Sequence, residues 1–321
     1  MKKTVLLTVN PLLVETRQVS TMRKFVSALD QRVNLYLLPV NGYDFKRGQV
    51  TAYRRRPDGS FVKAGIIAPR ADLWIVYSDG FYLDHRTFGF RLRRDYFKAQ
   101  LAFHQQQLEI GNVRLLINSP EAEARTLKSW LASLDFQEFR IVPTYLFSNI
   151  AEVYDCARAH DAIVAKLNWG GANVGVEKLR GEAAVREFER RLEQYTDRDL
   201  GDYCFQPYCR GDEKRFLFAG GKCTAARIIH GRETPWSDDA VDFRVDAYDA
   251  DSSRAFARDM AAAQRLYELS GISVGSVDFI GGRINEVNGG GTVLTTYRYN
   301  KMIIDARPAF LEYILGLLNS L

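Results

Sequence analysis

The run Ser276-Val277-Asp278-Phe279-Ile280-Gly281-Gly282-Arg283-Ile284-Asn285-Glu286-Val287-Asn288 decides how the rest of the chain is read. Two short apolar runs flank Gly281-Gly282, a dipeptide suited to a tight hairpin turn. Folded at that turn, the hairpin carries Asp278 toward Glu286 and Asn288. Glu286 and Asn288 are two apart and share one face of their strand. Three oxygen-bearing side chains, two of them anionic, then meet in one small volume. Hard oxygen ligands of this kind suit Mg²⁺ held against nucleotide phosphates. Taken alone, the stretch reads equally well as a hairpin with a polar outer face.

Working outward, the 321 residues allow two domains, or one domain and a subdomain. The net charge of +5 comes from 44 basic and 39 acidic residues spread along the chain. Basic clusters at Arg54-Arg55-Arg56 and at Arg91, Arg93 and Arg94 read first as solvated faces and second as contacts for an anionic substrate. No long basic stripe or known module supports nucleic-acid binding. Cys156, Cys204, Cys209 and Cys223 form no C-x-x-C pair and match no zinc spacing, which argues for a reducing, cytoplasmic setting. His85, His104, His160 and His230 form no H-x-x-x-H pair. The apolar stretch after Met1-Lys2-Lys3 is too short for a signal peptide and reads as a first strand. No apolar run approaches membrane-spanning length.

The first third alternates strand and helix. Strands are expected at 4–9, 33–39, 73–77 and 114–118, and helices at 14–29 and 88–108. A hairpin is expected around Pro57-Asp58-Gly59. Such alternation predicts a mostly parallel sheet with helices on both faces. Ser119-Pro120 starts a helix expected to run to about Leu134 and to carry Lys128. A strand at 162–167 ends in a glycine-rich loop, Asn168 to Gly175, followed by a strand at 174–179 and a charged helix at 183–195. That stretch reads as a small unit of its own. A second hairpin turns at Gly220-Gly221, a helix starts at Ser252-Ser253 and stops at Gly271, and a last helix spans roughly 305–318.

Three pattern matches fail on context. Gly271-Ile272-Ser273-Val274-Gly275 fits G-x-S-x-G, but a helix precedes the serine and a strand follows it, the reverse of a nucleophile elbow. Gly170 and Gly175 have P-loop spacing, yet Val176-Glu177 stand where Lys and Ser or Thr are required. Arg210-Gly211-Asp212 spells an adhesion tripeptide by accident.

The remaining pieces form an ordered set: Lys128 on a helix, Lys166 before the glycine loop, Gly211-Asp212-Glu213-Lys214-Arg215, Arg227, and the Asp278/Glu286/Asn288 triplet. Each alone reads as surface charge. Together they resemble the ATP-grasp superfamily, in its prokaryotic glutathione synthetase-like branch, over nearly the whole chain. The metal motif D-x₇-E-x-N matches without a gap. Gly211 to Phe218, Ala226-Arg227-Ile228 and Ile117-Asn118-Ser119-Pro120 follow the same pattern.

The resemblance implies an α/β chain with the ATP-grasp fold. A Rossmann-like, substrate-side domain would span 1–122. An ATP-grasp domain would span 123–321, with a glycine-loop lid subdomain over about 143–203 and a C-terminal α+β subdomain. It implies ATP as cosubstrate and Mg²⁺, two ions expected with Mn²⁺ as substitute, held by Asp278, Glu286 and Asn288. Lys128 and Lys166 would neutralise phosphate oxygens, and Gly170, Gly171 and Gly175 would let backbone amides approach them. Gln206, Pro207 and Tyr208 would form the adenine-side hinge. Glu213, ahead of Asp212, would accept from the ribose hydroxyls. Arg215 and Arg227 would steady an acyl phosphate and the tetrahedral intermediate.

The implied reaction joins a carboxylate to an amine through an acyl phosphate. Substrates would be small molecules or peptides, with no nucleic acid or membrane partner, and relatives suggest a homodimer or homotetramer. The resemblance is weaker on the substrate side. Val76 to Phe81 is acidic and aromatic where glutathione synthetases carry a basic residue. Asn168-Trp169 stands for a Pro-Leu type pair, and Gly289-Gly290-Gly291-Thr292 is unusually glycine-rich. A ligase with another substrate is therefore expected. The alternatives are a nucleotide-binding regulator on the same scaffold and a basic nucleic-acid-associated protein.

Overall fold

The computed structural model describes residues 2–9, 14, 20–76, 85–168, 175–230, 244–247, 254–289, 296–299 and 302–321. Tyr77 to Phe81, Gly170, Gly171, Ser252-Ser253 and Gly290 to Thr292 lie outside the described residues.

The first sheet contains β1 (Thr4–Val9), β2 (Asn34–Pro39), β3 (Tyr43–Asp44), β4 (Gln49–Arg55), β5 (Phe61–Ile67), β6 (Leu73–Ile75) and β7 (Leu116–Ile117). Strands β2, β1, β6 and β7 lie side by side and parallel. The expected hairpin adds β4 and β5 as an antiparallel edge. Near-continuous apolar runs such as Val5-Leu6-Leu7 are buried because both faces are covered. Helices Ser20–Asp30 and Arg307–Ser320 cover one face, where Phe25 stacks on Phe310 at 5.3 Å. The helix His85–Glu109 covers the other through Phe103 against Trp74. The last helix of the chain thus belongs to the core of the first sheet, which no local pattern announces.

One expected helix is two. Ser119 caps Pro120–Ala124 by accepting from the Ala122 amide. The Thr126 hydroxyl then donates to the Glu123 carbonyl, and Leu127 is extended. A new short helix, Lys128–Leu131, starts with Lys128 at its first position.

The second sheet contains β8 (Ile163–Leu167), β9 (Val176–Leu179) and β10 (Tyr203–Pro207), in the order β10-β8-β9 and antiparallel throughout. Helices Ile150–Ala159 and Gly181–Gln194 pack on one face around Val153, Phe188 and Phe205. This stretch has its own core, as its β-loop-β-α pattern suggests. The opposite face presents Val164, Lys166, Cys204 and Gln206.

The third sheet contains β11 (Glu213–Ala219), β12 (Lys222–His230), β13 (Arg244–Ala247), β14 (Val274–Ile280) and β15 (Arg283–Asn288), ordered β13-β12-β11-β14-β15 and antiparallel. Strands β16 (Thr296–Tyr299) and β17 (Met302–Asp305) pair separately. The helix Arg254–Ser270 packs Ala263, Leu266 and Tyr267 against Phe216, Phe218, Val277 and Phe279 on the back of the third sheet. Its front is left for polar chemistry.

Asn118 ties the first sheet to the third. Its carboxamide oxygen accepts from the Ser273 and Val274 amides at 2.8 and 2.9 Å, and its Nδ2 donates to the Val274 carbonyl and to Glu123. Ser273 is a helix-to-strand connector, as the order of elements requires. All four cysteines are free thiols. Among the described residues no helix is long and apolar enough to cross a membrane.

Candidate active site

The hairpin turns where expected. Gly281 and Gly282 both have positive φ, 55° and 76°, the signature of a type I′ turn. A Cβ at Gly281 would run into the Arg210 carbonyl, so the turn and the Arg210-Gly211 loop need glycine to touch.

The turn sets the register, and the register builds the site. Asp278 pairs with Glu286 across β14 and β15, and Ser276 pairs with Asn288. Asp278 also pairs with Arg215 on β11, and Arg215 with Arg227 on β12. Four charged residues, Arg227, Arg215, Asp278 and Glu286, therefore stand in one row across four adjacent strands. A one-residue slip would send any of them to the apolar face.

Within the row, Arg215 forks onto Asp278, with Nε 2.7 Å from Oδ1 and an Nη on Oδ2. Ser276 donates to Asp278 Oδ1 at 3.1 Å. Asn288 Nδ2 donates to Asp278 at 3.0 Å and to Glu286 at 3.2 Å. Two of the expected metal ligands, Asp278 and Glu286, are thus within hydrogen-bond distance of the side-chain amide of the third, Asn288. Arg227 reaches Glu213 at 3.3 Å, so the residue expected at the ribose is also the counterion of that arginine.

The two facing carboxylates titrate in opposite directions. Burial, reinforced by the Glu286 charge and opposed by Arg215, raises Asp278. Burial would raise Glu286 too, but Lys128, Lys166 and Arg215 outweigh it and lower that carboxyl. Two acidic oxygen donors and an amide oxygen side by side fit a hard divalent ion, which would take over from Asn288 Nδ2 the work of holding the two carboxylates together. Among the described residues no cluster of three His, Cys, Asp or Glu side chains offers a competing metal site.

The second sheet supplies the lysines and the cleft. Lys166, 3 % exposed, projects from β8 and donates to Asn285 Oδ1 at 2.7 Å. Its burial and the neighbouring Lys128 charge lower its pKa, while Glu286 opposes that shift. Lys128 is buried at the start of its short helix, and the next amide, Ser129, donates to Asn168 Oδ1 at 2.8 Å. The root of the glycine loop is thereby fixed to the Lys128 helix. Gly175 packs against Leu167 at φ 68°, and any side chain there would collide with that leucine. A narrow cleft is lined by Val142, Val164, Pro207, Tyr208, Cys209 and Ile280, with Lys166, Gln206 and Asn285 as its polar members. Gln206, buried, donates to Thr144 at 2.9 Å and to the Asn285 carbonyl at 3.4 Å. The Lys178 ammonium lies 3.6 Å from the centre of the Tyr208 ring.

Of the residues expected from sequence, Lys166, Gln206, Pro207 and Tyr208 line the cleft, Arg215, Arg227, Asp278 and Glu286 form the row with Glu213 and Asn288 bonded to it, and Lys128 and Gly175 lie at the root of the glycine loop. Gly170 and Gly171 lie outside the described residues. Three contributors escape a sequence reading, and a fourth, Arg94, read first as part of a solvated face. Asn285 contacts Lys166 and Gln206. Ser276 supports Asp278. Thr144 holds Gln206. Arg94 pairs with Asp202 at 2.7 Å, and the Asp202 carbonyl accepts from Asn168 at the loop root. Only Asn285 left a local signal: Ile284 and Val287 are both core residues three apart, which regular strand alternation forbids. Gly289 has a packing role, since a Cβ there would sit 2.8 Å from both carboxylate oxygens of Glu123. Of the basic clusters, Arg54 stacks on Tyr36 at 4.3 Å and Arg55 pairs with Asp30, as solvated faces do.

No protein-family model matches the chain, and no curated protein matches it. Solved structures do. D-cycloserine synthetase DcsG superposes with a TM-score of 0.62 at 16% identity, over 98% of this chain and 99% of that one. The ATP-grasp ligase PsnB, in complex with a minimal precursor, gives 0.61 at 16% identity over 99% of both chains. PsnB has also been solved with a phosphomimetic variant of that precursor, Mg and ADP. D-alanyl-alanine synthetase A from Vibrio cholerae O1 biovar eltor gives 0.59 at 13% identity over 99% of this chain and 98% of that one. Similarity of this extent, spanning all three sheets, means that the chain has the ATP-grasp fold.

Proposed function

We propose that the protein is an ATP-dependent ligase that joins a carboxylate to an amine through an acyl phosphate, releasing ADP and phosphate. The observation that carries this reading is the in-register row Arg227, Arg215, Asp278 and Glu286, facing a cleft that holds Lys166. The ligases that share the fold act on substrates from a peptide precursor to D-alanine, and PsnB binds ADP with Mg. The substrate here is a small molecule or a peptide. The glutathione synthetase-like character is assigned to the ATP side alone.

On this reading, residues 1–122 form the substrate-side domain and 123–321 the ATP-grasp domain, with the lid subdomain over about 143–203. The base lies in the cleft against Gln206, Pro207 and Tyr208, and Glu213 faces the ribose. Lys128 and Lys166 neutralise phosphate oxygens, together with the backbone at Gly170, Gly171 and Gly175. Asp278, Glu286 and Asn288 hold Mg²⁺, which screens phosphate charge when bound. Arg215 and Arg227 are fixed in place by Asp278 and Glu213, and that preorganisation suits them to oppose charge developing on the acyl phosphate and the tetrahedral intermediate. Positioning, charge neutralisation and water exclusion account for the rate, since an acyl phosphate exposed to water hydrolyses.

The test is phosphate release from Mg-ATP across a matrix of amino acids and short peptides, including γ-glutamylcysteine with glycine. Release that requires both a carboxylate and an amine, with an amide product by mass spectrometry, supports the ligase. ATP binding without release for any pair points to a dedicated peptide or carrier-bound acyl substrate, or to a nucleotide-binding regulator. Absence of ATP binding defeats both.

A further inference from the structure

Strand β15 is not regular where it meets the cleft. Asp278 faces Glu286, but Phe279 faces Ile284, so Asn285 is an extra residue with no partner of its own on β14. This is a β-bulge, a device that re-aims side chains beside functional sites. Its effect is visible in burial. Ile284 and Val287 both belong to the apolar back of the sheet, which turns Asn285 and Glu286, two consecutive residues, to the front. Glu286 joins the metal-ligand set, and Asn285 joins the cleft.

The orientation of the Asn285 carboxamide is then decided by its neighbour. Lys166 lies 2.7 Å from it, and an ammonium can only donate. The oxygen must face Lys166, which fixes an assignment that is otherwise ambiguous for an amide. The Asn285 carbonyl is meanwhile held by Gln206. Nδ2 consequently projects away from Lys166. Among the described residues it has no hydrogen-bond partner, while its residue lines the cleft beside Val142, Val164, Pro207 and Ile280. A mostly apolar cleft thus has, beside Lys166 and Gln206, a side-chain amide donor of fixed orientation among its lining residues.

We infer that Asn285 is a specificity-determining residue, whose side-chain amide donates to a ring nitrogen of the bound nucleotide's base. The inference rests on the nucleotide-binding reading above and deepens it. Lys166 has two tasks on this view: it neutralises phosphate, and it orients Asn285. A purine offers ring-nitrogen acceptors in the plane of the ring, whereas an apolar residue at 285 would support stacking without reading the edge.

The experiment is a chemical double-mutant cycle on the full chain by isothermal titration calorimetry. ADP and its 1-deaza, 3-deaza and 7-deaza analogues are titrated into the unaltered protein and into Asn285→Leu, with Asn285→Ala as a second variant if the first does not fold. In the unaltered protein one analogue is expected to bind about 10-fold more weakly than ADP, the worth of one hydrogen bond. In the variant ADP itself should weaken by a similar factor, and the same analogue should incur no further loss. Equal binding of all analogues by the unaltered protein overturns the inference, and so does a penalty that persists in full in the variant. Either outcome leaves the ligase reading intact, because ADP still binds. Failure of ADP to bind the unaltered protein removes the nucleotide reading and this inference with it.

Discussion

Two aspartates are buried against opposite faces of the third sheet. Asp278 stands on the front, forked by Arg215, with Glu286 directly across. Asp259 reaches the back from the helix Arg254–Ser270, where Lys214 donates at 2.6 Å and Arg140 at 3.1 Å. Burial pushes both carboxyls up, but the outcomes differ. Lys214 and Arg140 overcome burial and lower Asp259. One arginine does not overcome burial and a second carboxylate, so Asp278 ends raised. The back of the sheet has matched its buried charge, and the charge fixes structure: Arg140 also donates to the Gly282 carbonyl, anchoring the hairpin turn. The front has placed two carboxyls side by side, and the nearby cations lower Glu286 but leave Asp278 raised; adjacent carboxyls are the arrangement expected where a cation is to be bound. A third buried group shows the remaining solution. His104 packs against Trp74 and meets the Tyr43 hydroxyl with no countercharge in that contact, and burial holds it neutral with a pKa of about 3.

The sharpest way to break this contrast is to neutralise one aspartate at a time. Asp278→Asn and Glu286→Gln should lower ATP-dependent turnover on the order of 10³-fold, ~4 kcal/mol in barrier, and change unfolding free energy by about 1 kcal/mol or less. Comparable losses of stability in both would mean that the front carboxylates are structural. Asp259→Ala should do the opposite. It strands two cations on the back of the sheet, and breaking a buried pair costs roughly 3–5 kcal/mol in urea unfolding. If it melts within 1 °C of the unaltered protein, Asp259 is not the anchor described here.

A smaller effect tests the turn that joins the two faces. Gly281→Ala forces a Cβ into left-handed backbone against the Arg210 carbonyl and should cost about 1–3 kcal/mol, read as a lower urea midpoint. Gly221 has φ 82° with open space around it, so Gly221→Ala measures the backbone contribution without the collision. Equal costs at both positions would deny the packing role of Gly281.

The third solution predicts a pH dependence. Unfolded His104 takes a proton below about 6.5, whereas the folded residue waits until about 3. In that window the unfolded state binds more protons, so stability is complete above the unfolded value and drains as pH falls. The slope is at most about 1.4 kcal/mol per pH unit. Unfolding free energy measured between pH 7.5 and 5 should therefore fall less steeply in His104→Phe. Parallel profiles would place the acid sensitivity elsewhere.

The difference between the faces also explains what could be read early. Local chemistry was enough for the Gly281-Gly282 turn, for the pairing of Asp278 with Glu286, and for the rejection of Ser273 as a nucleophile. Each depends on residues within a dozen positions. The break between Ala124 and Lys128 was missed because no glycine or proline marks it; the extended backbone of Leu127 makes it. Asn285 was missed because strand alternation assigns it to the wrong face unless the Ile284 and Val287 spacing is taken as a bulge.

The chain by itself determined that a hairpin would gather two carboxylates and an amide, and that a glycine-bearing unit would have a lysine at its root. These follow from turn propensity and strand periodicity, whereas the nearness of the two was implied by the resemblance alone. Tertiary structure alone decided that Arg227, Arg215, Asp278 and Glu286 would align, that Lys166 would turn Asn285 toward the cleft, and that Asp259 would brace the turn from behind. Each of those depends on at least one pair of partners between 12 and 142 positions apart, brought together by strand register and sheet packing, which no local pattern encodes.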